Sequence, residues 1–225
     1  SLLALASPGG QRGARTAGVC AVGRARARMF EVMLQGFAHT QPDWAHPGPN
    51  QDSFVLNLPC GVAAVFDGLA GHGDGHIASS LAARAVDGAA HHGLTARELL
   101  EHARELLQAA RAKAQNPQMT CTAMIARVQP DGSWEAAWCG DSRAYVICPD
   151  GRVVRASYDH DIIYQRQADS LVSPQAAERA RIAAEEAQTP SDAWRLGGPL
   201  AKQALKRRHV MVSELAHGPI GMTRG

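Results

Sequence analysis

Apolar positions recur along this chain with two different periods, and the switching between them outlines the elements. Residues 53–58 and 61–66 are short runs of Val, Leu, Ala and Phe separated by Pro59 and Cys60. They read as two strands joined by a tight turn. An earlier run, 29–37, reads as a first strand. The breakers Pro42, Pro47, Gly48 and Pro49 then mark a loop. Beyond residue 76 the spacing changes: Ile77, Leu81, Ala82, Ala85 and Val86 fall on one helical face. Thr95 and Glu98 form a capping-box pair. They open a second helix whose stripe is Leu99, Leu100, Ala103, Leu106, Leu107 and Ala110, ending near Asn116 and Pro117.

The strand period returns over 120–128, 133–139 and 143–147, with Pro-Asp-Gly turns at 130–132 and 149–151. Ser173-Pro174 and Thr189-Pro190 then each place a capping residue before a proline at the first helical position. These helices extend through Ala187 and towards Leu205. Runs of strands and runs of helices in this order predict an α+β fold, with antiparallel sheets covered by helices. Residues 1–28, rich in Gly, Ala and Arg without clean periodicity, are expected to be a disordered or poorly packed leader. Residues 29–225 are expected to form the domain.

Composition narrows the function classes. The chain has 225 residues, 45% of them hydrophobic, enough for a sizeable core. Its 23 basic and 21 acidic residues leave a net charge of +2, which supports neither a nucleic-acid nor a membrane-surface partner. The basic run Lys206, Arg207, Arg208, His209 is short and reads as a solvated helix end. The cysteines at 20, 60, 121, 139 and 148 are odd in number and include no C-x-x-C pair. Buried thiols in a cytoplasmic protein are expected, rather than disulfides or zinc ligands. No apolar run approaches the ~20 residues of a membrane span, and the opening SLLALASPGG lacks the basic leader of a signal peptide.

Candidate chemistry concentrates in 50–79, NQDSFVLNLPCGVAAVFDGLAGHGDGHIAS. Asp67 ends a strand-like run, Gly68 follows, and Asp52 lies on the neighbouring run. Strands fix carboxylates, and glycines let backbone approach a ligand. Carboxylate and carbonyl oxygens suit magnesium or manganese. A solvated turn with a helix-capping aspartate explains the stretch equally well by itself. His72, Asp74 and His76 also make an H-x-D-x-H pattern of the kind seen in other metal hydrolases.

The wider pattern carries a resemblance. DGLAGHGDG resembles the DGxGGHxxG signature of the metal-dependent type 2C serine/threonine protein phosphatases. NQDSF resembles their N-[EQ]-D-[SA] element, MTCTAM their MGTTL strand, and CGDSRAYVI their GDSRAY strand. DGRVVRASYDHD is similar to the hairpin and DHS element that follow. The five elements occur in family order over about 30–161, and GPIGMTRG loosely echoes LTRALG.

The resemblance implies a four-layer α-β-β-α sandwich of two antiparallel sheets. It also implies hydrolysis of phosphoserine or phosphothreonine by water activated at a two-metal site, holding Mn2+ or Mg2+. Under it, Asp67 bridges both metals, the Gly68 carbonyl ligates one, and Asp52 orients water. His72 protonates the leaving group, and Asp141 either serves a third metal or, with Arg143, only caps the strand turn. Asp159, His160 and Asp161 are structural. The basic phosphate-holding residue usually found before this element is absent, leaving His46 as the substrate-binding candidate. The implied partner is a phosphorylated protein, product of a serine/threonine kinase pathway, and a monomer is expected. Two further family aspartates, in SDG and DN elements, lie beyond the point this chain reaches. The sequence is therefore expected to be C-terminally truncated and weakly active or inactive. A non-catalytic binding module is the alternative.

Overall fold

The computed structural model describes residues 2–6, 34–42, 48–69, 74–168, 171–206 and 220–225. Five strands form one antiparallel sheet: β2 (Asp52–Asn57), β3 (Val62–Asp67), β4 (Ala123–Val128), β5 (Trp134–Cys139) and β8 (Gly221–Arg224), in that spatial order. A second sheet is ordered β1 (Leu2–Ala6), β6 (Arg143–Ile147) and β7 (Val153–Arg155). Its β6–β7 pair is antiparallel, but β1 runs parallel to β6, a departure from the purely antiparallel sheets expected. Residues 2–6, assigned to a leader by composition, thus contribute a strand. The remainder of that leader lies outside the described residues, as does most of the strand expected over 29–37. Residues 34–37 of that run are irregular.

Alternation along the strands sets the layers. Val62, Ala64 and Phe66 of β3 are buried on one face, while Ala63, Val65 and Asp67 take the other. Helices α1 (Gly75–Ala89) and α2 (Ala96–Ala114) cover the first face, packing Val86, Leu99, Leu100 and Leu107 against Val55, Phe66 and Ile125. The opposite face builds the core between the sheets, where Met124, Ala136 and Trp138 meet Ala144 and Ala156. Helices α3 (Ile162–Ala168), α4 (Pro174–Glu186) and α5 (Pro190–Lys206) gather round a third core of Ile163, Leu205 and six alanines. The layered α+β architecture expected from sequence, antiparallel sheets with packed helices, is observed, with three helices rather than a pair in the second helical group.

Local signals act where predicted. Thr95 Oγ1 accepts from the Glu98 amide at 3.2 Å, and Glu98 Oε2 accepts from the Thr95 amide at 2.8 Å, closing the capping box. Ser173 Oγ accepts from the Ala176 amide at 3.2 Å. The kink in α5 sits at Gly198, whose φ of 74° no helix permits, directly before Pro199. Cys60, Cys121, Cys139 and Cys148 are thiols, the middle two buried.

Candidate metal centre

The register of β2 on β3 sets Asp52 directly opposite Asp67. Directly opposed residues point to the same side of a sheet, so both carboxylates occupy the face turned away from α1 and α2. They stand where β3 ends and the chain leaves the sheet. Burial pushes Asp67 up to about 6, helped by the negative charges of Asp52 and Asp141 and by a hydrogen bond with Asp52. A carboxyl held in this way takes up a proton more readily than a free one, and a positive charge beside the pair would favour its ionised form.

The hairpin is anchored on the side away from solvent. The Gly68 amide donates to the Gln51 carbonyl at 2.9 Å, and the Leu69 amide donates to the Thr120 carbonyl at 3.2 Å. Gly68 has no room for a side chain: an added Cβ would lie 2.2 Å from the Gly75 carbonyl oxygen and 2.8 Å from that of Gln51. The strand end therefore packs directly on the first turn of α1. That turn is entered through Asp74 in the left-handed region, at φ 62°. Its carboxylate accepts from Asn116 Nδ2 at 2.9 Å, tying the entry of α1 to the exit of α2. Asp74 is thus committed to a structural contact, which weighs against the H-x-D-x-H alternative.

Two polar residues inside the protein support the site and were not singled out from sequence. Thr122 Oγ1 accepts from the Asp67 amide at 3.3 Å and lies 2.6 Å from Ser142 Oγ, while the Thr122 amide donates to the Asp67 carbonyl at 2.8 Å. Both side chains are almost wholly buried. The available signal is a hydroxyl residue within each of two strand-end segments, MTCTAM and CGDSRAY.

Asp141 is exposed in the turn between β5 and β6. Desolvation of its carboxyl and the charge of Asp159 raise its pKa, against the pull of Arg143. Arg143 itself turns to Asp159, which it holds through two nitrogens at 2.9 and 2.5 Å. His160 is fully buried and pushed down to about 4 by that burial, so it is neutral at physiological pH. Its Nδ1 accepts from the Gly140 amide at 3.3 Å, and its own amide returns a bond to the Gly140 carbonyl. Asp161 caps α3, accepting from the amides of Ile163 and Tyr164 at 2.9 Å.

The structure therefore brings Asp52, Asp67 and Gly68 together, with Asp141 near enough to be felt by Asp67. His46 and His72 lie outside the described residues. The donor chemistry of the pair, all oxygen and with one carboxyl strained by its neighbour, fits a hard divalent cation. Among the described residues, no three His, Cys, Asp or Glu side chains converge on one point, so they supply part of a coordination sphere.

A family model described as protein phosphatase 2C matches residues 46–192. Solved structures share the fold at low identity. The serine/threonine phosphatase Stp1 from Staphylococcus aureus is 17% identical with a TM-score of 0.57, over 89% of this chain and 74% of that one. The PPM Ser-Thr phosphatase MsPP from Mycobacterium smegmatis, solved in complex with cacodylate, is 18% identical with a TM-score of 0.52, over 79% and 66%. The Mycobacterium tuberculosis serine/threonine phosphatase PstP/Ppp is 15% identical with a TM-score of 0.51, over 80% and 69%. The chain thus spans about two thirds to three quarters of the length of these relatives. No curated protein matches it.

Proposed function

The chain belongs to the protein phosphatase 2C family, and on that premise we propose that the site around Asp67 serves hydrolysis of phosphoserine and phosphothreonine in proteins. The observation that carries this reading is the facing of Asp52 and Asp67 across the open end of the β2–β3 hairpin. Mn2+ or Mg2+, when bound, would neutralise phosphate charge and activate water for attack at phosphorus.

The chain's own residues have separate tasks. Asp67, fixed by the Thr122 hydroxyl and the Gly68 turn, presents a carboxylate whose charge is poorly solvated and therefore seeks a cation. Asp52 is assigned the orientation of water beside the pair. Gly68 is assigned a carbonyl contact to the cation, and its lack of a side chain lets the strand end pack on Gly75. His72 is assigned the proton donated to the leaving alkoxide, His46 a contact to the substrate phosphate, and Asp141 a weaker cation contact at the rim. The substrate class follows that of the Staphylococcus and Mycobacterium phosphatases of the same fold.

Manganese titration by calorimetry, run beside hydrolysis of a phosphothreonine peptide and of p-nitrophenyl phosphate, tests the assignment. The expected result is Mn2+ binding with weak metal-dependent turnover in the natural chain, both lost in Asp67→Asn. Turnover that persists in Asp67→Asn, or that needs no added metal, overturns it, as does an absence of Mn2+ binding.

A further inference from the structure

A second concavity, of about 920 Å³, opens where β5 and β8 meet α3 and α4. It lies within the size range of small-molecule sites, and it plays no part in the chemistry assigned to Asp67. Its walls combine flat apolar surface with positive charge. Trp138, Tyr158 and Tyr164 supply the rings. The Trp138 indole nitrogen is spent on the Tyr158 carbonyl at 2.8 Å, so the tryptophan offers only its apolar surface. Arg179 and Arg181 supply the charge.

Arg181 is the informative residue. Its side chain is 11% exposed, and its guanidinium lies 4.6 Å from the centre of the Tyr158 ring. One terminal nitrogen donates to Gln167 Oε1 at 2.8 Å, and the other reaches Glu178 at only 3.4 Å. Its Nε is buried and has no hydrogen-bond partner among the described residues. A buried guanidinium donor without an acceptor is costly. Among the described residues lining it, Glu178 is the one acid against two arginines. The cavity is therefore short of negative charge.

We propose that this cavity is a ligand site for a small organic anion with a flat ring, of the size of a nucleoside monophosphate. The ring packs against the aromatic wall, and the anionic group takes the unfilled acceptor position at Arg181, with Arg179 beside it. Calorimetry with AMP on the whole chain in EDTA, which silences any cation-dependent phosphate binding at Asp67, tests the site. Adenosine and inorganic phosphate serve as the ring-only and charge-only probes. AMP is expected to bind at least about tenfold more tightly than either, and to lose at least about tenfold in Arg179→Ala and in Arg181→Gln. Trp138→Phe keeps the apolar wall and should keep the affinity. Circular dichroism melts of each variant separate lost binding from lost fold, with Arg179→Ala, an exposed position, as the variant least able to unfold the protein. No AMP binding, AMP no tighter than phosphate, or binding unchanged in folded Arg179→Ala overturns the proposal.

Discussion

Asp67, half-buried, and His160, fully buried, are ionisable groups at the same end of the fold, and burial shifts them in opposite directions. Asp67 rises to about 6 and His160 falls to about 4. For Asp67 the native state holds a proton more tightly than the unfolded chain. Its contribution therefore favours folding at low pH and is lost as pH rises from about 4 to about 6. For His160 the native state resists the proton, so its contribution is present above about 6.5 and is lost as pH falls towards about 4. The two slopes oppose each other across one window.

Single substitutions should expose each slope. In EDTA, urea unfolding of the natural chain and of Asp67→Asn is compared between about pH 4.5 and 6.5, where the raised Asp141 contributes its own slope to both. Relative to the natural chain, Asp67→Asn should gain about 2 kcal/mol of stability as pH increases over that window. Asp67→Asn should also be more stable than the natural chain at pH 7.5, by about 1–2 kcal/mol after allowing for solvent screening. A variant that is no more stable at pH 7.5, or whose slope has the opposite sign, would refute the assignment of Asp67 as a strained carboxyl.

Glycines at two positions should respond in opposite ways to the same added methyl group. At Gly68 a Cβ would collide with the Gly75 carbonyl oxygen, which is backbone and cannot swing aside. Gly68→Ala should cost about 1–3 kcal/mol and displace the Asp67 end of β3 from the start of α1, weakening Mn2+ binding as well. Gly88 sits inside α1 with nothing within 4 Å of its Cβ position. Gly88→Ala should add about 0.5–1 kcal/mol. Thermal melts of the pair decide it: equal effects would mean that Gly68 is not packed as described.

Thr95 allows a cleaner test of local sequence chemistry, because its hydroxyl and Glu98 satisfy each other's helix-end partners without touching the site. Thr95→Ala should lower stability by about 1 kcal/mol without changing metal binding. A change in Mn2+ affinity would mean that α2 is coupled to the Asp67 hairpin more tightly than through the Asn116–Asp74 contact alone.

The elements that announced themselves in the sequence are those whose signals are local. The capping box at Thr95, the Ser173-Pro174 start and the facing strands around Pro59 each depend on residues within a few positions of one another. Three features escaped that kind of reading. Strand β8 reads in sequence only as a loose terminal echo, because GMTR has no alternation to reveal that it pairs with β5. Helix α3 is short, and Asp161, which caps it, was absorbed into the DHS-like element. The parallel pairing of β1 with β6 joins residues more than a hundred positions apart. The site was legible to the same extent. Asp52 and Asp67 follow from strand ends, whereas the roles of Thr122 and Ser142 depend on contacts that only the folded sheet creates.

Those two hydroxyls make the last prediction. Thr122 accepts the Asp67 amide and pairs with Ser142 in a place almost closed to water. Thr122→Val preserves shape but leaves the Ser142 hydroxyl and the Asp67 amide without that partner. A buried group stripped of its hydrogen bond costs about 1–3 kcal/mol. Thr122→Ser keeps the hydroxyl and loses only a methyl group, so it should retain Mn2+ binding at a cost near 1 kcal/mol. The double variant Thr122→Val with Ser142→Ala removes both hydroxyls, and should recover part of the stability lost in Thr122→Val. It should not recover Mn2+ affinity, because the Asp67 amide still lacks its acceptor. If stability and affinity return together, Thr122 acts only through packing and does not position Asp67.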